Sequence, residues 1–162
     1  MIFFAQKYFG FSVGCSFSLL VYENGTIKSA GENKEFQLGV GGMISSHKLK
    51  KVGKFKDLKK VCCGFSHSLV WYGDKICAFG SSRWGQCATR KNFNLPTTIF
   101  QGADISYSIF LFFFFSFPQF FLIEEDIVCG RYHTMILLFD GQVLASGWLK
   151  ILEFLFLKST PK

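Results

Sequence analysis

The stretches GCSFSLLVYENGTIKSAG at 14–31, GFSHSLVWYGDKICAFG at 64–80 and GRYHTMILLFDGQVLASG at 130–147 are three copies of one phrase. Each runs Gly, two variable residues, an aromatic ring, Ser or Thr, an apolar run, a turn, a second strand-like stretch and a closing Gly. Gly14, Gly64 and Gly130 align, then Phe17, His67 and His133, then Ser18, Ser68 and Thr134, and finally Gly31, Gly80 and Gly147. The turns, Asn24-Gly25, Gly73-Asp74 and Asp140-Gly141, are dipeptides that accept the positive φ of a two-residue hairpin loop. Each copy is therefore predicted to be a β-hairpin. Its first strand (Leu19 to Tyr22, Leu69 to Tyr72, Met135 to Phe139) is almost continuously apolar, which predicts cover on both faces. A core helix is the competing reading of such a run, and the Gly and Asn-Gly punctuation opposes it.

Outside the hairpins the copies share more. Val61-Cys62-Cys63-Gly64 matches Ile127-Val128-Cys129-Gly130, and Asn33 with Phe36-Gln37-Leu38-Gly39 answers to Trp84-Gly85-Gln86-Cys87. Repeats of roughly 20 to 50 residues mark solenoids and propellers, whose units bury their apolar faces only against neighbours. Over about two thirds of the chain the phrase resembles the repeats of the regulator of chromosome condensation family. That unit reads Val-x-Cys-Gly, then two variable residues and His followed directly by Ser or Thr, and ends in Gly-Gln-Leu-Gly. Phe17 departs from the usual His, Phe36 from the usual Gly and Cys87 from the usual Leu, and the third copy runs into Trp148-Leu149-Lys150 instead of the usual ending.

The resemblance implies an all-β fold: a partial β-propeller of four-stranded antiparallel blades, about three repeats of roughly 50 residues. Residues 1–162 then form a single incomplete propeller domain, with repeats at about 11–60, 61–104 and 124–148. Family members close a ring of seven blades, so three repeats imply a piece of a longer repeat protein, with strand edges and faces that a partner or further chain must cover. The repeat residues Gly14, Gly31, Gly64, His67, Gly80, Gln86, Gly130, His133 and Gly147 are expected to be structural.

Spacing isolates one segment. The step from Gly14 to Gly64 is 50 residues and that from Gly64 to Gly130 is 66, a surplus of 16. ISYSIFLFFFFSFPQFFLI at 105–123 is uncharged and holds eight of the 22 Phe residues. Removing about 16 residues there, for instance 106–121, restores the period. A membrane-spanning helix fits its length, but the segment interrupts a repeat whose two sides must pack together, and Pro118 lies inside it. A buried strand pair is opposed because the blade already has its strands. A genuine loop insertion is one remaining reading. The reading preferred here is a pyrimidine-rich intervening sequence translated in frame, since Phe, Ser, Leu and Ile share T-rich codons. The atypical tail 149–162, with ILEFLFL at 151–157, is similar in character. If expressed, either segment is an aggregation or membrane-contact hazard.

Charge is equally local. The chain carries +7, and the seven lysines 48, 50, 51, 54, 56, 59 and 60, against Asp57, account for +6 of it. Lys48, Lys50, Lys51, Lys54, Lys56, Lys59 and Lys60 form a candidate basic patch for phosphate backbones or acidic protein surfaces. A solvated linker between repeats is the plainer reading, since only Phe55 interrupts the run with an aromatic ring. The six cysteines show no zinc-knuckle spacing and read as structural thiols in a reducing compartment. Residues 1–5 are too short for a secretory leader. Cytosol or nucleus follows, with a membrane location only if 105–123 is an anchor.

No catalytic constellation emerges. The run Gly39-Val40-Gly41-Gly42 lacks a following Gly-Lys-Ser/Thr and reads as a flexible loop. The acidic cluster Glu124-Glu125-Asp126 reads as a solvated turn before a strand. No cofactor and no metal is expected, and the chain is read as no enzyme. The resemblance implies a protein-interaction module, with exchange-factor or regulatory activity on a small GTPase as the sharpest form. The alternatives are a structural or non-functional piece of a larger repeat protein, such as the recognition part of a ubiquitin ligase, and a membrane-tethered repeat protein.

Overall fold

The structure, a computed structural model, describes residues 8–101, 126–137 and 143–148. The Phe-rich segment 105–123, the tail 149–162 and the Asp140-Gly141 turn lie outside them. Every element among the described residues is a strand, and no helix there is long and apolar enough to cross a membrane. Strands β1 (Tyr8–Val13), β2 (Phe17–Tyr22), β3 (Thr26–Gly31) and β4 (Ser46–Lys54) form one antiparallel sheet in chain order. The second sheet repeats the order with β5 (Leu58–Cys63), β6 (His67–Tyr72), β7 (Lys75–Gly80) and β8 (Phe93–Gln101). The third holds β9 (Asp126–Cys129), β10 (His133–Leu137) and β11 (Val143–Gly147). These are three blades of a partial propeller, stacked face to face.

Stacking explains the apolar runs. Phe17, Leu19, Val21 and Ile27 of the first blade pack with Leu38 against Cys63, Val70 and Phe79 of the second. Leu69, Trp71, Ile76 and Ala78 leave the other face of the second blade and meet Ile127 and Ile136 of the third. Successive residues of a strand point to opposite faces, so the middle blade buries both sets and β6 is buried from His67 to Trp71. In β2 and β10 burial instead alternates over Phe17–Leu20 and His133–Leu137, the buried residues facing the middle blade. Two-faced cover is thus realised in the middle copy.

The glycines at the two ends of the phrase close one hydrogen-bonded unit. Gly14, Gly64 and Gly130 donate their amides to the carbonyls of Phe17, His67 and His133 at 2.8–2.9 Å. A Cβ on any of the three would lie within 2.0–2.2 Å of the ring it caps. Across the hairpin the same ring-bearing residues pair with Gly31, Gly80 and Gly147. Those closing glycines sit at φ 119, 104 and 118, a region that L side chains rarely adopt.

Two turns behave differently from each other. Tyr72 and Lys75 pair directly around Gly73-Asp74, a two-residue loop with Gly73 at φ 51. Asn24-Gly25 instead belongs to a three-residue loop, Glu23-Asn24-Gly25. Its last residue is left-handed (φ 77), and the Gly25 carbonyl is taken by the Phe55 amide at 2.9 Å. The glycine run 39–42, read as a loose loop, is tied down: Gly41 donates to the Asn94 carbonyl at 2.9 Å and Gly39 lies against the Phe79 ring.

The Gly-Gln-Leu-Gly ending is a buried turn that projects from one blade to the next. Asn33 Oδ1 accepts from the Leu38 amide at 2.9 Å, and in the second copy Ser82 Oγ does the same for Cys87 at 3.0 Å. Gln37 and Gln86 each fold their side-chain oxygen back onto an amide two residues earlier, at 2.9 Å. Each copy keeps only one of the two glycines of this turn. Phe36 stands at φ 64 where the second copy has Gly85, and Ala88 at φ 60 where the first has Gly39. Ala88 is exposed, so relief of strain decides the outcome there. Ala88→Gly is expected to stabilise the chain by about 0.5–1 kcal/mol, the left-handed strain less the glycine's added freedom when unfolded, read as a higher urea midpoint.

Candidate functional site

The turns and the hairpins meet at the blade joints. Ser68 Oγ donates to the Gln37 carbonyl at 3.2 Å, and its equivalent Thr134 Oγ1 donates to the Gln86 carbonyl at 2.9 Å. His67 Nε2 lies 3.1 Å from Thr134 Oγ1. Because that hydroxyl's one proton goes to Gln86, the imidazole is the donor and carries its hydrogen on Nε2. His67 Nδ1 is then a bare buried acceptor without a partner. Burial above all, then the charge of His133, pushes His67 down to about 4. In the first joint Phe17 occupies the equivalent place and cannot make this bond to Ser68. His67 and Gln86 therefore lie at the joint between the second and third blades, and Gly80 faces Gln37 of the first, while His133 is half-buried above Gly130.

The seven lysines do not form one face. Ser46–Lys54, read as a linker, is the outer strand of the first blade, so Lys48, Lys50, Lys51 and Lys54 are ladder residues on a sheet edge. They are exposed, as is Lys56. Lysine on an outer strand discourages pairing with a foreign strand. Lys59 and Lys60 belong to β5 at the inner side of the second blade. Lys59 Nζ lies 4.4 Å from the Trp71 ring centroid, and Lys60 pairs with Asp126 of β9. Asp126 thus begins a strand and bridges two blades.

Sequence reading missed an aromatic cluster at the loop ends of the second and third blades. Phe65, Trp84, Tyr132 and Trp148 converge there. Trp84 and Trp148 stack at 5.4 Å with 24° between planes, Tyr132 lies 6.1 and 5.9 Å from them, and Phe65 is 6.1 Å from Tyr132. Arg131 sits 4.7 Å from the Phe65 ring centroid and 5.0 Å from that of Tyr132. Trp84 and Trp148 remain 50% and 47% exposed. Phe65 and Arg131 also line an open depression of about 490 Å³ between the inner ends of all three blades, with Cys15, Cys63 and Cys129. These rings occupy the variable positions of the phrase (Phe65 after Gly64, Arg131 and Tyr132 after Gly130), where a reading built on shared residues does not look. Arg83 is occupied by Glu35 at 2.9 Å, whereas no carboxylate among the described residues pairs with Arg131. Nor do those residues contain a group of three or more metal-ligating side chains.

Residues 125–148 match the Regulator of chromosome condensation (RCC1) repeat. The X-linked retinitis pigmentosa GTPase regulator homolog of Caenorhabditis elegans is 29% identical over 140 residues, which is 83% of this chain and 9% of that protein. The chain therefore spans about a tenth of the curated relative it matches. Among solved structures, human WBSCR16 superposes with a TM-score of 0.65 at 20% identity, over 91% of this chain and 34% of that one. Prp20p from Saccharomyces cerevisiae, whose structure is described together with its binding to Gsp1p and histones, gives 0.67 at 20% identity over 94% and 33%. Both are likenesses of fold. The third copy is an RCC1 repeat over residues 125–148, and the thrice-built glycine-capped hairpin with its side-chain joints between blades makes the chain as a whole similar to RCC1-repeat proteins.

Proposed function

We propose that the chain is a protein-interaction platform that contacts a small GTPase or a protein bound to one through Trp84, Trp148, Tyr132, Phe65 and Arg131. The exposed, mutually packed aromatic cluster carries the reading. Trp, Tyr and Arg dominate the energetics of protein interfaces, and here they are ordered against one another before any partner arrives. The relative named as a GTPase regulator homolog supplies the partner class. Regulation of this kind needs no covalent chemistry. A factor that prefers the nucleotide-free GTPase weakens nucleotide binding by the same factor, through linkage. The outer strand with Lys48, Lys50, Lys51 and Lys54 supports a second, salt-dependent contact with an acidic protein surface or a phosphate backbone.

The test uses a panel of small GTPases in nucleotide-free, GDP-bound and GTP-bound forms, assayed for binding and for nucleotide release. Binding is expected with at least one member. Trp84→Ala with Trp148→Ala is expected to weaken it by about 2 kcal/mol or more, roughly 30-fold. Binding that is absent throughout the panel, or indifferent to the double substitution, would reject the reading; binding without faster release would remove only the exchange part.

A further inference from the structure

The joint between the inner strands is built the same way twice. In the first joint Ser12 Oγ accepts the Cys63 amide of the next blade at 3.0 Å. One repeat later Ser12 aligns with Cys62 and Cys63 with Cys129, so the equivalent joint sets the Cys62 side chain beside Cys129 of the next blade. Lys60 of β5 and Asp126 of β9 pair beside it, so the two strands are clamped next to the sulfurs. Both cysteines pack at the edge of the core between the second and third blades and both are half-buried. Cys63, Cys77 and Cys87 are buried, and Cys15 is exposed on the first blade.

We propose that Cys62 and Cys129 form a disulfide site, a covalent staple between the second and third blades that closes under a disulfide-class oxidant such as oxidised glutathione. Cys62 supplies the nucleophile. The neighbouring Cys129 holds the Cys62 thiol below the usual range, and the Lys60 ammonium acts in the same direction. Burial, with the neighbouring Cys62, holds the Cys129 thiol well above it. The Cys62 thiolate attacks one sulfur of oxidised glutathione, forming a mixed disulfide and releasing one glutathione thiolate. Cys129 then gives its proton to solvent and attacks the Cys62 sulfur. The bond to glutathione breaks, and a second glutathione thiolate leaves. Two electrons pass from the cysteine pair to the oxidant. The staple would fix the spacing of the two blades that carry the aromatic cluster.

The full chain, equilibrated folded with oxidised and reduced glutathione and quenched with an alkylating agent, is digested and its peptides weighed. The expected product joins the peptide containing Cys62 to that containing Cys129, with loss of two hydrogens and a higher melting temperature than the reduced chain. Cys63→Ser is expected to keep the cross-link, while Cys62→Ser and Cys129→Val are expected to abolish both it and the melting shift. Ser and Val are the residues the first copy carries at these places, so the variants suit the fold, and circular dichroism of the reduced proteins checks that they keep it. A cross-link that survives Cys62→Ser, one that joins Cys129 to another cysteine, or its absence from the folded wild-type chain would overturn the proposal.

Discussion

Gly80→Ala is expected to cost the chain roughly 3 kcal/mol and to remove most of its cooperative unfolding, the largest effect of any single methyl group considered. Two terms combine. At φ 104 an L residue is strained, and the added Cβ would lie 2.5 Å from the Ser66 carbonyl oxygen and 2.8 Å from His67 Cα. These are backbone atoms of the facing strand and cannot swing aside. Gln37 Cα of the first blade stands 3.3 Å away, so the methyl group presses on the joint as well as the hairpin. Gly42→Ala is the control: nothing lies within 4 Å of its Cβ and its φ is not positive, so a change within about 0.5 kcal/mol is expected. Urea unfolding followed by circular dichroism compares them. Equal midpoints for the two variants would mean that the closing glycine is not holding the hairpin.

The second large effect is acid sensitivity at one joint. His67 is neutral and buried, at about 4 when folded and near the ordinary 6.5 when unfolded. Its contribution is therefore complete above pH 6.5. It is lost as pH falls through the window from 6.5 to 4, because the unfolded chain takes up a proton that the folded chain refuses. The total is roughly 3 kcal/mol at pH 4. His67→Phe separates this from general acid loss, since Phe17 already fills the same place under Gly14. At pH 7 the variant is expected to be about 1 kcal/mol less stable, having lost the bond to Thr134. Near pH 4.5 it is expected to be the more stable protein. Urea midpoints across pH 4.5–7 that run parallel for the two chains would remove His67 from the acid limb.

Much of the fold is legible because the repeat states each requirement three times. A glycine must cap a ring and another must take positive φ opposite it, and both demands survive in every copy. What escaped belongs to single copies. Ser46–Lys54 gave no strand signal because an outer strand wetted on most of its length needs no apolar alternation, and the lysines hid it. The Asn24-Gly25 loop has one residue more than its dipeptide indicates, and its glycine carbonyl accepts the Phe55 amide. Cys62 and Cys129 are 67 positions apart, and their meeting follows only from superposing one repeat on the next, with Ser12 marking the place. The aromatic cluster is composed of residues the copies do not share, which is where a repeat protein can differ from its relatives without disturbing its blades.

Amide hydrogen exchange, read residue by residue on the folded chain, bears most directly on whether the three copies act as one stacked platform. The His67–Thr134 joint couples β6 to β10, Ser68 couples β6 to the Gln37 turn of the first blade, and Phe17, Leu19 and Val21 of β2 share a core with Val70 of β6. The amides of β2, β6 and β10 are therefore expected to open with one common free energy and to lose protection together in Gly80→Ala. Separate opening energies for the three strands, with β2 exchanging freely while β6 and β10 stay protected, would contradict a single stacked unit.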